Sequence, residues 1–551
     1  MKYLFEVSWE VCNLVGGIHT VIRSKASEAV ADYGEGYFLL GPLLDNNTDF
    51  EDSDDDVYRA IRPALEKKGL QCRLGRWNIA DRPRVILVNF RDRYDSGKVL
   101  YQYWQRFGVN SMDGNWDYIE PVLFSTACGE VIETIHETLA GTKDTAVAQF
   151  HEWMSGGGLL HLKKTSPEIG TVFTTHATIL GRSMSGSGVD IYSEEVSIDP
   201  ERDAKIYGVP AKASLETVCA READIFTTVS NVTADESVKI LNKRPHYAVF
   251  NGINTREMGT LDDIRKKGKK VRQKITSLAS AFLGQKIPAD ARLWVTSGRY
   301  EFHNKGYNLF LDALARLNNS LREQADSPTI VAWFLIATGN NGMKQSFIDR
   351  MNGAEGHAND PGILTHHMGD EYHDAIVSTC HRLGLNNNPS NRVKVIFSPA
   401  YVSEADGFFN MPYYDVLSGF DLGVFPSFYE PWGYTPMESI AVGVPTITSD
   451  LAGFGRWAQD LNINHENAVT IIERANRSYA AAGDALTASL TQFAQLNPAD
   501  IGAIRTRARN IAEMASWSNF YQNYQKSYAA AAIITEKRLN SLDTSSASDD
   551  L

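Results

Sequence analysis

The stretch DLGVFPSFYEPWGYTPMESIAVGVPTITSD, residues 421–450, decides the fold. It opens on an apolar run, 421–427, and passes through a turn crowded with Gly, Pro and aromatic residues. It then enters a helical segment, MESIAVGV, and closes on a second apolar run, 445–450. Short apolar runs joined by a helix suit parallel strands buried on both faces. The pattern continues outward: 468–473 follows, and 393–398, 329–338 and 292–298 precede. Beyond a basic helical stretch an earlier series appears: the opening MKYLFEVSWEV, then 85–90, 145–151, 170–176, 224–230 and 247–252. Strands alternating with helices predict an α/β chain, and two series predict two doubly wound domains.

Length agrees, because 551 residues exceed the roughly 250–300 at which one core stops growing. The formal charge is 54 − 67 = −13, against a general nucleic-acid binder but compatible with an anionic small ligand held by a few placed cations. Five scattered cysteines without a C-x-x-C pair predict reduced thiols in a cytoplasmic protein. There is no apolar run of about 18 residues, so no membrane span is expected, and the N-terminus lacks the apolar core of a signal peptide. The Lys-rich segment 258–286 reads as a solvated helical connector rather than a nucleic-acid patch. Residues 339–389 read as loops plus a helix. From 500 to about 542 the chain reads as helix, and the polar tail 543–551 as disordered.

What is missing narrows the chemistry. Neither G-x-G-x-x-G nor G-x-x-x-x-G-K-[ST] occurs, and His151-Glu152 has no second histidine to complete a zinc-protease helix. Asp52-Ser53-Asp54 has the form of a metal-binding carboxylate pair but lies in an acidic run, EDSDDD, that reads as a solvated loop. The loop histidines 357, 366, 367 and 373 lack metal-ligand spacing.

Four segments end predicted strands, where ligands of open α/β sheets bind. Gly16-Gly17 follows the first strand: either the pair lets backbone amides approach an anion, or it makes a tight turn. QFHEW (149–153) and FTTHATILGR (173–182) put His151, Glu152 and His176 at one rim, as acid/base candidates or as satisfied rim histidines, with Arg182 as a phosphate ligand. Glu152 has the stronger case, since an acid among apolar neighbours is costly without a task or partner. In SGRYEFHNKG (297–306), Arg299 and Lys305 suit a diphosphate clamp. In 421–438, Glu430 and Glu438 flank a turn whose amides at Gly433, Tyr434 and Thr435 open a helix and favour a phosphate. Glu430 is placed for sugar hydroxyls. Glu438 is either functional or a helix-start acid complementing the dipole.

These motifs, with EVSWEVCNLVGGIHTVIRSKA (6–26), GRW (75–77), DIFTTVS (224–230) and FNGIN (250–254), resemble eukaryotic-type glycogen synthase, glycosyltransferase family 3, in that family's order from Tyr3 to Trp517. The resemblance implies a GT-B fold, two facing Rossmann-like domains with a cleft between them that close on the substrates. Residues 1–256 would form the acceptor-side domain and 257–515 the nucleotide-sugar domain. Residues 516–542 would form a helix returning to the first domain. It further implies a retaining hexosyltransferase passing glucose from UDP-glucose to the non-reducing 4-OH of an α-1,4-glucan primer, without metal or other cofactor. The family's phosphate contacts fall on Arg182, Arg299, Lys305 and Gly433–Thr435, and its uracil-stacking tyrosine on Tyr413, next to Tyr414. Its essential glutamate falls on Glu430, an acceptor-side carboxylate on Glu152, and a cleft-lining position on Asn251. His176 would line the glucose pocket.

Three departures accompany the resemblance. The stretch between Lys305 and Glu430 is several dozen residues shorter than in the eukaryotic enzymes and lacks their assembly insertion, which leaves the size of any homo-oligomer open. Around Arg505, Arg507 and Arg509 the family's glucose-6-phosphate cluster is only partly present. Regulatory tails are not evident, as in a minimal or bacterial-type member. Two alternatives remain at this stage: an ADP-glucose-dependent glucan synthase or another retaining GT-B enzyme, and a non-catalytic glucan-binding scaffold. Starch-type enzymes carry Lys-x-Gly-Gly near the start, where Leu14 stands here.

Overall fold

A computed structural model of the chain describes residues 2–141, 144–324, 326–354, 362–464, 466 and 468–549. The chain divides into two compact units. One comprises Met1–Ile191, Glu195–Gly252 and Trp517–Leu551; the other comprises Tyr192–Glu194 and Ile253–Ser516.

Among the described residues, the first unit holds a nine-stranded sheet. Its strands are β1 (Lys2–Val7), β2 (Tyr37–Pro42), β3 (Phe50–Asp52), β4 (Cys72–Trp77), β5 (Arg84–Val88), β6 (Thr145–His151), β7 (Ile169–Thr175), β8 (Ile225–Thr228) and β9 (Tyr247–Ala248). The order is β3-β4-β5-β2-β1-β6-β7-β8-β9, parallel except at β3–β4 and β4–β5. Strand order reverses between β1 and β6, which pair directly with Glu6 opposite Gln149. The loops leaving these strands therefore flank the switch point where such sheets bind ligands. β2 and the antiparallel edge were not foreseen. The edge is built from polar segments, FED and CRLGRW, whose pairing supplies the strand character that their composition lacks.

The second unit holds six parallel strands: β10 (Arg292–Ser297), β11 (Ile330–Leu335), β12 (Val393–Ser398), β13 (Leu422–Val424), β14 (Thr446–Ser449) and β15 (Val469–Ile472). Their order is β12-β11-β10-β13-β14-β15, with the reversal between β10 and β13. Side chains alternate between two cores. Trp294, Ile330, Ala332 and Phe334 enter one with Leu309 and Phe310; Leu293, Val295, Val331 and Trp333 enter the other with Ile275 and Phe282. A strand buried on both faces draws apolar residues to both of them, which is why runs such as β11 were continuous in sequence.

The basic segment is a helix, Leu261–Leu283, capped by the Thr260 side chain at its start and by left-handed Gly284 at its end. Its cations are partly paired: Arg272 bonds both carboxylate oxygens of Asp421 at 2.7 Å, and Lys267 meets Asp415 at 3.2 Å. The stretch 339–389 contains two short helices, Gln345–Met351 and Ala375–Arg382. The expected C-terminal helix is two, Pro498–Met514 and Trp517–Asp549. The break occurs where Ile253 N–H donates to Ala515 O at 3.1 Å. The last helix continues to Asp549, so residues 543–549, expected to be disordered, are helical; residues 550–551 lie outside the described residues. Among the described residues no helix is long and apolar enough to cross a membrane.

Candidate active site

The sequence-predicted residues fall into two groups, one in each unit. In the first unit, β6 ends on His151 and β7 leads into His176. His151 Nε2 lies 2.7 Å from Glu6 Oε1, and His151 Nδ1 lies 2.9 Å from His176 Nε2. Burial holds both imidazoles below their ordinary range, so both are neutral near pH 7. They are interlocked neutral groups rather than free rim acids.

Glu152 follows with φ +59° and ψ 175°, a region of backbone space that is essentially reserved for glycine. Its N–H donates to Thr174 O at 2.9 Å, which holds the residue in that conformation. Holding a non-glycine residue in that region costs about 1–3 kcal/mol.

Two further carboxylates pin the segment between β7 and the helix Ile179–Gly186. Glu236 Oε1 accepts from Thr178 N at 3.0 Å and from Thr178 Oγ1 at 2.5 Å, while Glu216 Oε2 accepts from Ile179 N at 2.9 Å. Burial drives Glu216 well above the usual carboxylate range, with Glu152 and Glu236 adding to the rise. This clamp sets where His176 and Arg182 stand. Sequence reasoning missed Glu6, Lys25, Glu216 and Glu236. The available signal was a charged residue inside an otherwise buried strand or helix.

Gly16, though not Gly17, meets a carboxylate, and it is the chain's own. Glu10 Oε2 accepts from Gly16 N at 2.9 Å and from His19 N at 2.8 Å, capping the helix Gly17–Tyr33. Asn251 is buried beside the C-terminal helix, with its Oδ1 3.5 Å from the Tyr524 hydroxyl.

In the second unit the loops after β10 and β13 close on each other. Asn304 O accepts from Phe428 N at 2.7 Å and from Tyr429 N at 3.1 Å, and the His303 ring stands 4.4 Å from that of Phe428. This brings Lys305 and Glu430 into a direct, mostly buried ion pair. Arg299 is exposed and pairs with Glu301 at 3.1 Å, a contact that an incoming anion can replace at little cost. Gly433, at φ +102°, starts the helix Tyr434–Ala441, so its first amides sit beside Glu430. The Tyr413 hydroxyl bonds Ser297 Oγ at 2.7 Å and its ring packs on the core, whereas Tyr414 is 37% exposed and donates to Glu438 Oε1 at 3.1 Å.

Burial pushes Glu438 up to about 7, with Tyr414 and Lys305 opposing the rise. The group is thus neutral below about pH 7 and a carboxylate, an acceptor only, above it. Because kcat/KM reports the free enzyme, kcat/KM for the sugar donor should fall as pH drops through about 7, and Glu438→Gln should flatten that limb. An unchanged limb in the variant assigns the titration elsewhere.

Asp52 pairs with Arg73 at 2.6 Å and Asp54 with Arg62 at 3.1 Å; the run expected to be a loop is so only after Asp52, which ends β3. His366 bonds Thr365, His367 pairs with Glu371 and His373 with Asp370; His357 lies outside the described residues. Among the described residues no group of three or more His, Cys, Asp or Glu could hold a metal ion. Of the three C-terminal arginines, Arg505 donates to the carbonyls of Ser418 and Phe420, and Arg509 to those of Ala441 and Thr255. Arg507 lines a cavity of about 560 Å³ together with Glu466 and Asp500.

The family model described as glycogen synthase matches residues 6–353 and 343–543. The chain is 30% identical to the glycogen [starch] synthase of Neurospora crassa over 95% of its own length and 82% of the relative's. It is 30% identical, with the same coverage, to the liver glycogen [starch] synthase of Mus musculus. Among solved structures, the catalytic domain of starch synthase IV from Arabidopsis thaliana, bound to ADP and acarbose, matches with TM-score 0.56 and 14% identity, covering 96% of this chain and 99% of that one. That likeness establishes the fold, a GT-B arrangement of two Rossmann-like domains.

Proposed function

The chain belongs to the glycogen synthase family, and from that premise we propose that it transfers glucose from UDP-glucose to the non-reducing 4-OH of an α-1,4-glucan, with retention and without a metal. As a glycogen synthase it is a glycosyltransferase acting with a nucleotide-sugar donor and a glucan acceptor. The observation that carries the finer reading is the Lys305–Glu430 pair, held between the strand ends of β10 and β13 beside the amides of the helix Tyr434–Ala441.

In the proposed reaction the bond from the sugar C1 to the departing phosphate oxygen breaks, and a bond from C1 to the acceptor O4 forms on the same face. The O4 proton passes to the departing phosphate oxygen, and UDP leaves. Lys305, Arg299 and the helix amides neutralise the charge that develops on the diphosphate. Glu430 orders the sugar hydroxyls and holds Lys305. No carboxylate is assigned as a covalent nucleophile, so retention is attributed to front-face displacement rather than to two inversions. Glu152 orients the acceptor hydroxyl, and its fixed strained backbone suits a group that must not move. Cationic side chains in the diphosphate role, and the commitment of Asp52 and Asp54 to arginines, support a reaction that needs no metal.

For the donor, Leu14 is 70% exposed where starch-type enzymes carry a lysine, which favours UDP-glucose over ADP-glucose. Incubating the protein with glycogen and labelled UDP-glucose or ADP-glucose, each with and without EDTA, tests the reading. Incorporation from UDP-glucose should exceed that from ADP-glucose and persist in EDTA. Incorporation only from ADP-glucose, or its loss on chelation, overturns the corresponding part, and no incorporation from either overturns the whole. A cytoplasmic location and self-association belong to the same proposal.

A further inference from the structure

Beneath His151 and His176 lies a closed set of buried polar groups that the reaction above does not use. Lys25 Nζ stands 2.8 Å from Glu6 Oε1, and both side chains are completely buried. Lys25 also donates to Gln149 Oε1 at 3.4 Å and to the Tyr528 oxygen at 3.3 Å, so its three N–H groups are all engaged. Its ammonium lies 4.6 Å from the centre of the Tyr524 ring. Glu6 Oε2 accepts from the Tyr37 hydroxyl at 2.5 Å, and the Tyr528 hydroxyl donates to Gln149 Oε1 at 2.5 Å. β1, β2, β6, the helix Gly17–Tyr33 and the C-terminal helix each contribute a member.

The proton positions follow from this geometry. An ammonium 2.8 Å from Oε1, with both side chains completely buried, requires a carboxylate at Glu6. A carboxylate only accepts, so the hydrogen between Glu6 and His151 sits on His151 Nε2. A neutral His151 then has a bare Nδ1, and the hydrogen between the two rings belongs to His176 Nε2. His176, also neutral, is left with a bare Nδ1. Reversing Glu6 from acceptor to donor would reverse each member of the series.

We propose that Glu6 and Lys25 are positioning residues that lock both histidine tautomers, so that His176 offers Nδ1 as an acceptor for a sugar hydroxyl. The hydroxyl as target rests on the functional reading above; the lock does not.

Nitrogen NMR of 15N-histidine-labelled full-length protein, without substrate at neutral pH, tests it, with the His151→Gln and His176→Gln variants identifying the signals. His151 and His176 should both carry hydrogen on Nε2 alone. A hydrogen on Nδ1 of His176, or two on either ring, overturns the lock whatever the activity. In Lys25→Met, Glu6 loses its charge partner, takes up a proton and becomes a donor. His176 should then carry its hydrogen on Nδ1, and kcat/KM for the sugar donor should fall about tenfold or more. An unaltered His176 signal in the folded variant also overturns the lock. If Lys25→Met does not fold, the wild-type spectrum alone decides. A correct wild-type spectrum in a protein that incorporates no glucose overturns the functional reading and leaves the lock standing.

Discussion

Glu430→Gln should reduce kcat by about 10³-fold while the protein remains folded. Glutamine keeps the size of the side chain and one accepting oxygen, and it removes the charge. In the wild type that charge faces Lys305 in a pair that is mostly out of water. It also sits one turn before the amides that open the helix Tyr434–Ala441. In the proposed reaction, its loss frees Lys305 from the diphosphate position and deprives the sugar hydroxyls of a charged acceptor. Both losses weigh more on the transition state, where charge has moved onto the leaving phosphate, than on the bound substrate. The fall should therefore appear in kcat more than in KM. The structural cost is limited, because the backbone at Glu430 is secured separately through Gly453 N, which donates to Glu430 O at 3.0 Å. Steady-state kinetics with glycogen and UDP-glucose, alongside a thermal melt, separate the effects. Near-wild-type kcat in a folded variant would mean that Glu430 serves only as a salt-bridge partner.

Legibility in sequence followed the physics of burial. Most of the parallel strands could be read because a strand covered on both faces is dominated by apolar residues, as in β11 and in the Val85–Val88 stretch of β5, although β2, equally buried, was missed. The edge strands β3 and β4 could not, since their polar composition carries no such requirement. The segments that bring Lys305 and Glu430 together were visible because Gly, Pro and charged residues cluster immediately after strand ends. The supporting groups were not. Glu6 looks like one more acid near the N-terminus, and its meaning depends on Lys25, Gln149 and Tyr528, which lie 19, 143 and 522 residues away in sequence (25 − 6, 149 − 6, 528 − 6). The anion at Gly16 illustrates the limit most clearly. The glycine pattern left an anion site and a tight turn equally open, and only the fold reveals that the Gly16 amide is taken by the chain's own Glu10. Glu152 gives no sequence sign of its positive φ, because strain of that kind is imposed by the Thr174 carbonyl and the β6–β7 register.

Gly306→Ala should lower stability by about 4–5 kcal/mol and kcat by about 10²-fold, although the residue carries no chemistry. Gly306 has φ +70° and stands at the start of the helix Tyr307–Arg322, directly after Lys305. Holding alanine at that φ costs about 1–2 kcal/mol. The larger cost is spatial: a β-carbon here would collide with the Pro426 carbonyl oxygen and lie 2.7 Å from its carbon. Backbone cannot rotate away as a side chain can. Relief requires the β10 and β13 loops to part, which strains the bonds from Phe428 N and Tyr429 N to Asn304 O and from Arg474 Nη1 to Pro426 O. At about 1 kcal/mol each, those bonds supply the rest of the loss. Parting the loops also separates Lys305 from Glu430, and a displacement near 1 Å in such a constellation costs about 10²-fold in rate. Gly208→Ala is the matched control. Gly208 has φ +72°, yet a β-carbon there meets nothing within 4 Å. It should lose only about 1–2 kcal/mol and no activity. Urea denaturation and initial rates of both variants decide the matter: equal losses at the two glycines would show that the close approach at Gly306 does not set the catalytic geometry, whereas a deficit confined to Gly306→Ala would show that the interlocked loops hold Lys305 against Glu430.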